Sequence, residues 1–121
     1  MANSAFGKAR ETARQATGMG DGRSYFGADA KERIAENYVP LYLHSANRVK
    51  GKFGMSWELE LSENDPTEKT SILSMPANDY RDELFRSLKD DLRNGPVGPL
   101  ALLKREYKQG SGWDLDEWTE D

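Results

Sequence analysis

The chain has no cysteine and a single histidine, His44. The first absence excludes disulfides and zinc sites built on thiolates. The second removes His-based metal clusters and Cys–His pairs. Serines and carboxylates remain, but nothing in the sequence pairs one with a base. His44 reads as an ordinary strand residue, and no catalytic residue, metal site or cofactor is expected. Glu63, Asn64 and Asp65 lack the spacing and glycine of a calcium loop and read as a turn. No apolar run reaches the length of a membrane-spanning helix, and the N-terminus lacks the apolar stretch of a secretory signal. A cytoplasmic protein with no membrane contact is the expectation.

Hydrophobic residues are also scarce, at 36% of the chain against 31% charged. That composition supplies a core for roughly eighty residues but not for all of them. Residues 1–28 are the part expected to lie outside it, as a flexible extension rich in Ala, Gly, Ser, Thr and Arg. Arg10, Arg14 and Arg23 could give this arm a weak electrostatic hold on phosphates. Its Gly18-Met19-Gly20-Asp21-Gly22 run comes after no apolar strand and precedes no Lys-Ser/Thr pair, so it reads as a linker and not as a phosphate cradle. Net charge is −4, which argues against nucleic acid until its distribution is considered. Residues 111–121 hold five of the 21 acidic side chains and no Lys or Arg, leaving 16 acids against 17 basic groups in the body. Local patches, not the total, decide phosphate binding.

The clearest element is a strand over residues 51–62. Phe53, Met55, Trp57, Leu59 and Leu61 alternate with Gly54, Ser56, Glu58 and Glu60, which puts the two sets on opposite faces. Before it, Tyr38 to His44 reads as a first strand, with Pro40 near its start, and Ala46 to Lys50 as a loop. After it, a turn through Asp65-Pro66 leads to a third strand over 68–75. Asn78 is expected to cap a helix whose apolar stripe is Tyr80, Leu84, Phe85, Leu88 and Leu92, ended by Asn94-Gly95-Pro96. A fourth strand from Leu100 to Lys108, a turn at 109–112 and a short fifth strand, Trp113 to Leu115, complete the chain. Asp29 is expected to cap a short helix, 29–36, ahead of the first strand.

The order β-β-β-α-β-β is that of the OB-fold, a five-stranded barrel with one capping helix whose partners include single-stranded nucleic acids and oligosaccharides. The expected organisation is therefore mainly β: an extension over 1–28, an OB-fold domain over 29–115 and an acidic tail over 116–121. Two groups of cations flank the expected cleft. Arg48, Lys50 and Lys52 lie at the first loop and second strand, and Lys104, Arg105 and Lys108 lie near the last hairpin. Such a groove tracks a phosphate backbone while rings stack on bases. Phe53, Trp57, Tyr107 and Trp113 are the candidate rings, although Phe53 and Trp57 share a face with Met55, Leu59 and Leu61 and can instead be core, Trp57 more so than Phe53. In the tail, Asp116, Glu117, Glu120 and Asp121 surround Trp118, a combination that can dock into a basic pocket on another protein.

Lys50-Gly51-Lys52-Phe53-Gly54 and the alternating strand after it resemble the corresponding loop and strand of small OB-fold single-stranded-DNA-binding proteins, including phage-encoded ones. The helix after the third strand, the hairpin from Tyr107 to Leu115 and the acidic tail fit the same plan. The resemblance implies sequence-independent binding of single-stranded DNA without catalysis, in replication or recombination, in the host cytoplasm if phage-encoded. It points to Arg48, Lys50, Lys52, Phe53, Lys104, Tyr107 and Lys108 as contacts, and to the tail as a site for replication or recombination proteins. RNA stays open as a ligand and an oligomer as a state. The tail ends Thr119-Glu120-Asp121, not on an apolar residue as the familiar bacterial tail does, and the N-terminal extension has no counterpart in the family. A protein-interaction module, or a phage structural or inhibitory protein on the same barrel, is the alternative.

Overall fold

Alternation along one strand organises the molecule. Trp57, Leu59 and Leu61 are buried on the inner face of a sheet, and Leu41, Leu43, Leu73, Met75, Leu102 and Leu115 join them in one core. The computed structural model describes residues 24–52, 54–108 and 110–120. Among these, six strands form one mainly antiparallel sheet curled into a half-barrel: β1 (Ser24–Tyr25), β2 (Leu41–Gly51), β3 (Gly54–Glu63), β4 (Thr70–Pro76), β5 (Val97–Tyr107) and β6 (Gly110–Glu117). Their spatial order is β1-β4-β3-β2-β5-β6. The sequence-based count of five is thus one short. The extra strand, β1, is two residues long, runs parallel to β4 and lies in the stretch read as an extension.

Strand β2 runs on through the stretch read as a loop. Leu43 pairs with Leu61 but Ser45 pairs with Glu60, so His44 is an inserted residue in a β-bulge. A single insertion exchanges the faces of everything after it. Leu41 and Leu43 face inward before the bulge, whereas Ala46, Arg48 and Lys50 lie opposite Leu59, Trp57 and Met55 after it. His44 itself is anchored: its Nε2 lies 2.8 Å from Ser62 Oγ. That hydroxyl donates to Asp65 O, so the imidazole N–H is the donor to Ser62.

Three helices complete the described fold: α1 (Ala28–Glu36), α2 (Asp79–Ser87) and α3 (Lys89–Arg93). Helix α1 starts at Gly27 without a side-chain cap; Asp29, the expected cap, lies in its first turn. Its Ile34 enters the core, as does Phe85 of α2. Arg33 of α1 bonds Glu63, at one end of β3, while Phe85 packs on Trp57 toward the other. Asn78 caps α2 as expected, its Oδ1 accepting from Arg81 N–H at 2.8 Å. The single expected helix is broken at Leu88, next to Ser87, whose hydroxyl donates back to Glu83 O. Back-bonding of this kind bends helices.

Strands β2 and β5 pair only at Leu41–Leu100 and Leu43–Val97. Gly98 makes this approach feasible, since a Cβ there would sit 2.7 Å from Leu41 O. Across the sheet's remaining gap, Arg81 acts as a clasp. Its Nη1 donates to Pro76 O at the end of β4 (2.7 Å), and its Nη2 donates to Trp113 O on β6 (3.2 Å).

The C-terminal stretch is part of the fold and not a free tail. Asp116 and Glu117 pair with Ala101 and Leu100. Trp118 stacks on Tyr38 at 5.3 Å and donates its indole N–H to Tyr38 O, and Thr119 N–H donates to the Tyr38 hydroxyl. Trp118, expected as an anchor for a partner, is here stacked and hydrogen-bonded within the chain. Asp121 and residues 1–23, with Arg10, Arg14 and Arg23, lie outside the described residues.

Candidate functional site

The cations near the two hairpins divide by their partners. Lys104 donates to Glu32 of α1 at 2.8 Å, and Arg105 to Asp114 at 2.9 Å. The Glu32 carboxylate, by hydrogen bond and charge, raises the pKa of Lys104. Lys104 and Arg105 are therefore locally neutralised. Trp113 is half-buried against the core, with Lys104 Nζ 5.7 Å from its ring centre. Lys108 is exposed at the β5–β6 turn. Phe53 and the side chain of Tyr107 lie outside the described residues.

Arg48 has a different setting. After the bulge it lies on the Trp57 face of β2, where its partly exposed side chain reaches Asp82 of α2. Its Nε donates to Asp82 Oδ1 at 3.0 Å and its Nη2 to Oδ2 at 3.4 Å, a two-point grip on one carboxylate. The same Oδ1 accepts the Trp57 indole N–H at 2.8 Å. The Arg48 bond first, and the Trp57 bond second, hold Asp82 below the usual carboxylate range. Trp57 is only 6% exposed and tilts against Phe85 at 5.0 Å. The reading of Trp57 as a ring for base stacking is corrected accordingly: its face is core and its N–H is committed.

Arg48 opens onto a cleft of about 480 Å³ between the second half of β2 and the pair α2–α3. Arg48, Arg86, Lys89 and Arg93 line it over a floor that includes Trp57 and Phe85. Asp82 offsets Arg48 and Asp90 pairs with Arg93 at 3.4 Å. Among the described residues, Arg86 and Lys89 form no salt bridge, and the Arg86 charge also acts on Asp82. Lys50 continues the line, two positions beyond Arg48 on the same face of β2, which is about 6–7 Å along a strand. Lys52 is exposed at the adjoining turn. The structure thus joins Arg48 to the helices rather than to the β5–β6 hairpin.

Arg86, Lys89 and Arg93 escaped the sequence reading because they look like the solvated side of an amphipathic helix. A signal was present: positions i, i+3 and i+7 share one helical face, and all three are cationic. What the sequence lacked was the bulge that turns Arg48 toward that face.

On the opposite side of α2, a second groove of about 370 Å³ lies against β5 and β6, lined by Leu84, Leu88, Val97 and Leu100 with Tyr80, Asp116 and Glu117 also in its wall. Tyr80 is 65% exposed there. Among the described residues there is no cluster of side chains suited to hold a metal ion, and no helix is long and apolar enough to cross a membrane. The chain matches no family model, no curated protein and no solved structure in the comparisons made.

Proposed function

We propose that this protein binds single-stranded DNA without catalysis, chiefly through the phosphate backbone. The observation that carries the reading is the convergence of Arg48, Arg86, Lys89 and Arg93 on one cleft, in a protein whose net charge is −4. Cations concentrated on one face of an acidic protein give it a local anion site despite the unfavourable total. Lys50 and Lys52 extend the site toward the β2–β3 turn. The strand order β4-β3-β2-β5-β6 supports an OB-like arrangement, with β1 as an addition at the edge and Arg81 spanning the seam. A role in replication or recombination, in a reducing cytoplasm (the host's, for a phage protein), is consistent with a chain free of cysteine.

Backbone contact makes a clear demand on affinity. Binding should weaken steeply as salt rises, because counterions released from the strand drive association. Anisotropy of a labelled oligo-dT, compared with a duplex of the same length at low and moderate salt, tests this. Tighter binding of the single strand with a strong salt dependence is expected. Equal affinity for the duplex, or a flat salt response, contradicts it.

A second reading has its own observation. The groove beside Tyr80 combines apolar walls with two carboxylates, a surface suited to a protein partner bearing apolar and basic side chains. That surface is separate from the cationic cleft, so the two activities can coexist.

A further inference from the structure

The shape of the cleft goes further than a groove for a passing backbone. We propose that it receives the end of a strand, holding a terminal phosphate monoester; this rests on the reading of the cleft as a nucleic-acid site. Two observations point to an end site. The first is charge. Four cations line the cleft and the Asp82 and Asp90 carboxylates offset two of them, leaving a surplus of two positive charges. A phosphodiester carries one negative charge, whereas a terminal phosphate carries about −1.5 to −2 near neutral pH. The surplus matches the monoester.

The second is size. A cleft of about 480 Å³ lies toward the small end of the range of roughly 300–1,000 Å³ seen for small-molecule sites. It accommodates one nucleotide-sized group. Leu92, only partly buried at the floor, offers an apolar surface to the sugar behind the phosphate.

Arg86 and Lys89, which form no salt bridge among the described residues, supply the charged donors for such an anion.

The test uses the full chain and one oligo-dT sequence in three forms: hydroxyl at both ends, 5′-phosphorylated and 3′-phosphorylated. One of the phosphorylated forms should bind about tenfold tighter than the hydroxyl form, the size expected of one added charge-assisted contact. The gain should disappear in the Arg86→Gln/Lys89→Gln double variant, both of whose sites are exposed. Equal, measurable affinity for all three forms overturns the end site and leaves the single-strand reading standing. No binding of any form removes both. A gain that persists in the double variant overturns the location. Thymidine monophosphate should compete better than inorganic phosphate; equal competition would assign the cleft to free phosphate and overturn the strand-end assignment.

Discussion

Replacing Arg81 with Met would remove the clasp between β4 and β6. Arg81 is 9% exposed, and its guanidinium donates to one carbonyl on each side of the seam, at 2.7 and 3.2 Å. Hydrogen bonds from a charged donor contribute about 1.5–3 kcal/mol each. The shorter bond belongs in that range and the longer one near its bottom. Two effects work against the sum. No carboxylate is paired with this guanidinium among the described residues, so its removal relieves some burial cost of the charge. The seam also opens into a pocket of about 460 Å³, through which water can reach the freed carbonyls. A net loss of about 2–3 kcal/mol is expected, which for a domain of this size lowers Tm by roughly 8–20 °C. Arg81→Lys should fall between, since one ammonium reaches one carbonyl well and not both. Urea unfolding gives the stability, and hydrogen exchange along β4 and β6 shows whether the seam opens first. Stability of the Met variant within about 0.5 kcal/mol of the parent, with unchanged exchange at both edges, would refute the clasp.

Other changes test separate parts of the fold. Gly98→Ala places a Cβ 2.7 Å from Leu41 O, and overpacking of that kind costs about 1–3 kcal/mol, measurable by urea unfolding; an unchanged midpoint would mean β5 can shift away freely. Trp118→Ala removes a stacked pair and an indole hydrogen bond, so a loss of about 1–2 kcal/mol and faster exchange at the end of β6 are expected. Asp82 is held below its ordinary pKa by Arg48 and Trp57, so its stabilising effect is present above the normal carboxylate range and is lost as pH falls through its lowered value in the fold. Asp82→Asn should therefore be less stable at neutral pH and lose less on acidification; parallel stability–pH curves for parent and variant would contradict this.

Legibility in the sequence tracked the length and regularity of each pattern. The alternation from Trp57 to Leu61 and the Asn78 cap were readable because each is a local rule with several matches or a specific chemistry. Strand β2 was half-read because one inserted residue, His44, breaks its alternation. Beyond that insertion, Ala46-Asn47-Arg48-Val49-Lys50 mimics a polar loop. Strand β1 has only two residues, too few to show any period, and exists because β4 offers it an edge. Arg81 looks like a helix surface residue in sequence, and only the return of β6 to the end of β4 makes it internal. The cationic cleft had the same obstacle: its residues lie on a strand and a helix nearly forty positions apart, and the contact between them is set by tertiary packing.

The most direct measurement is a charge-reversal comparison of single-strand affinity at fixed low salt. Arg86→Glu/Lys89→Glu, in the cleft, should weaken oligo-dT binding by well over tenfold and flatten its salt dependence, since two phosphate contacts are lost. Lys104→Glu/Arg105→Glu, whose cations are already matched by Glu32 and Asp114, should weaken it much less. Equal losses in both pairs, or a larger loss in the second, would contradict the assignment of binding to the cleft between β2 and the helices.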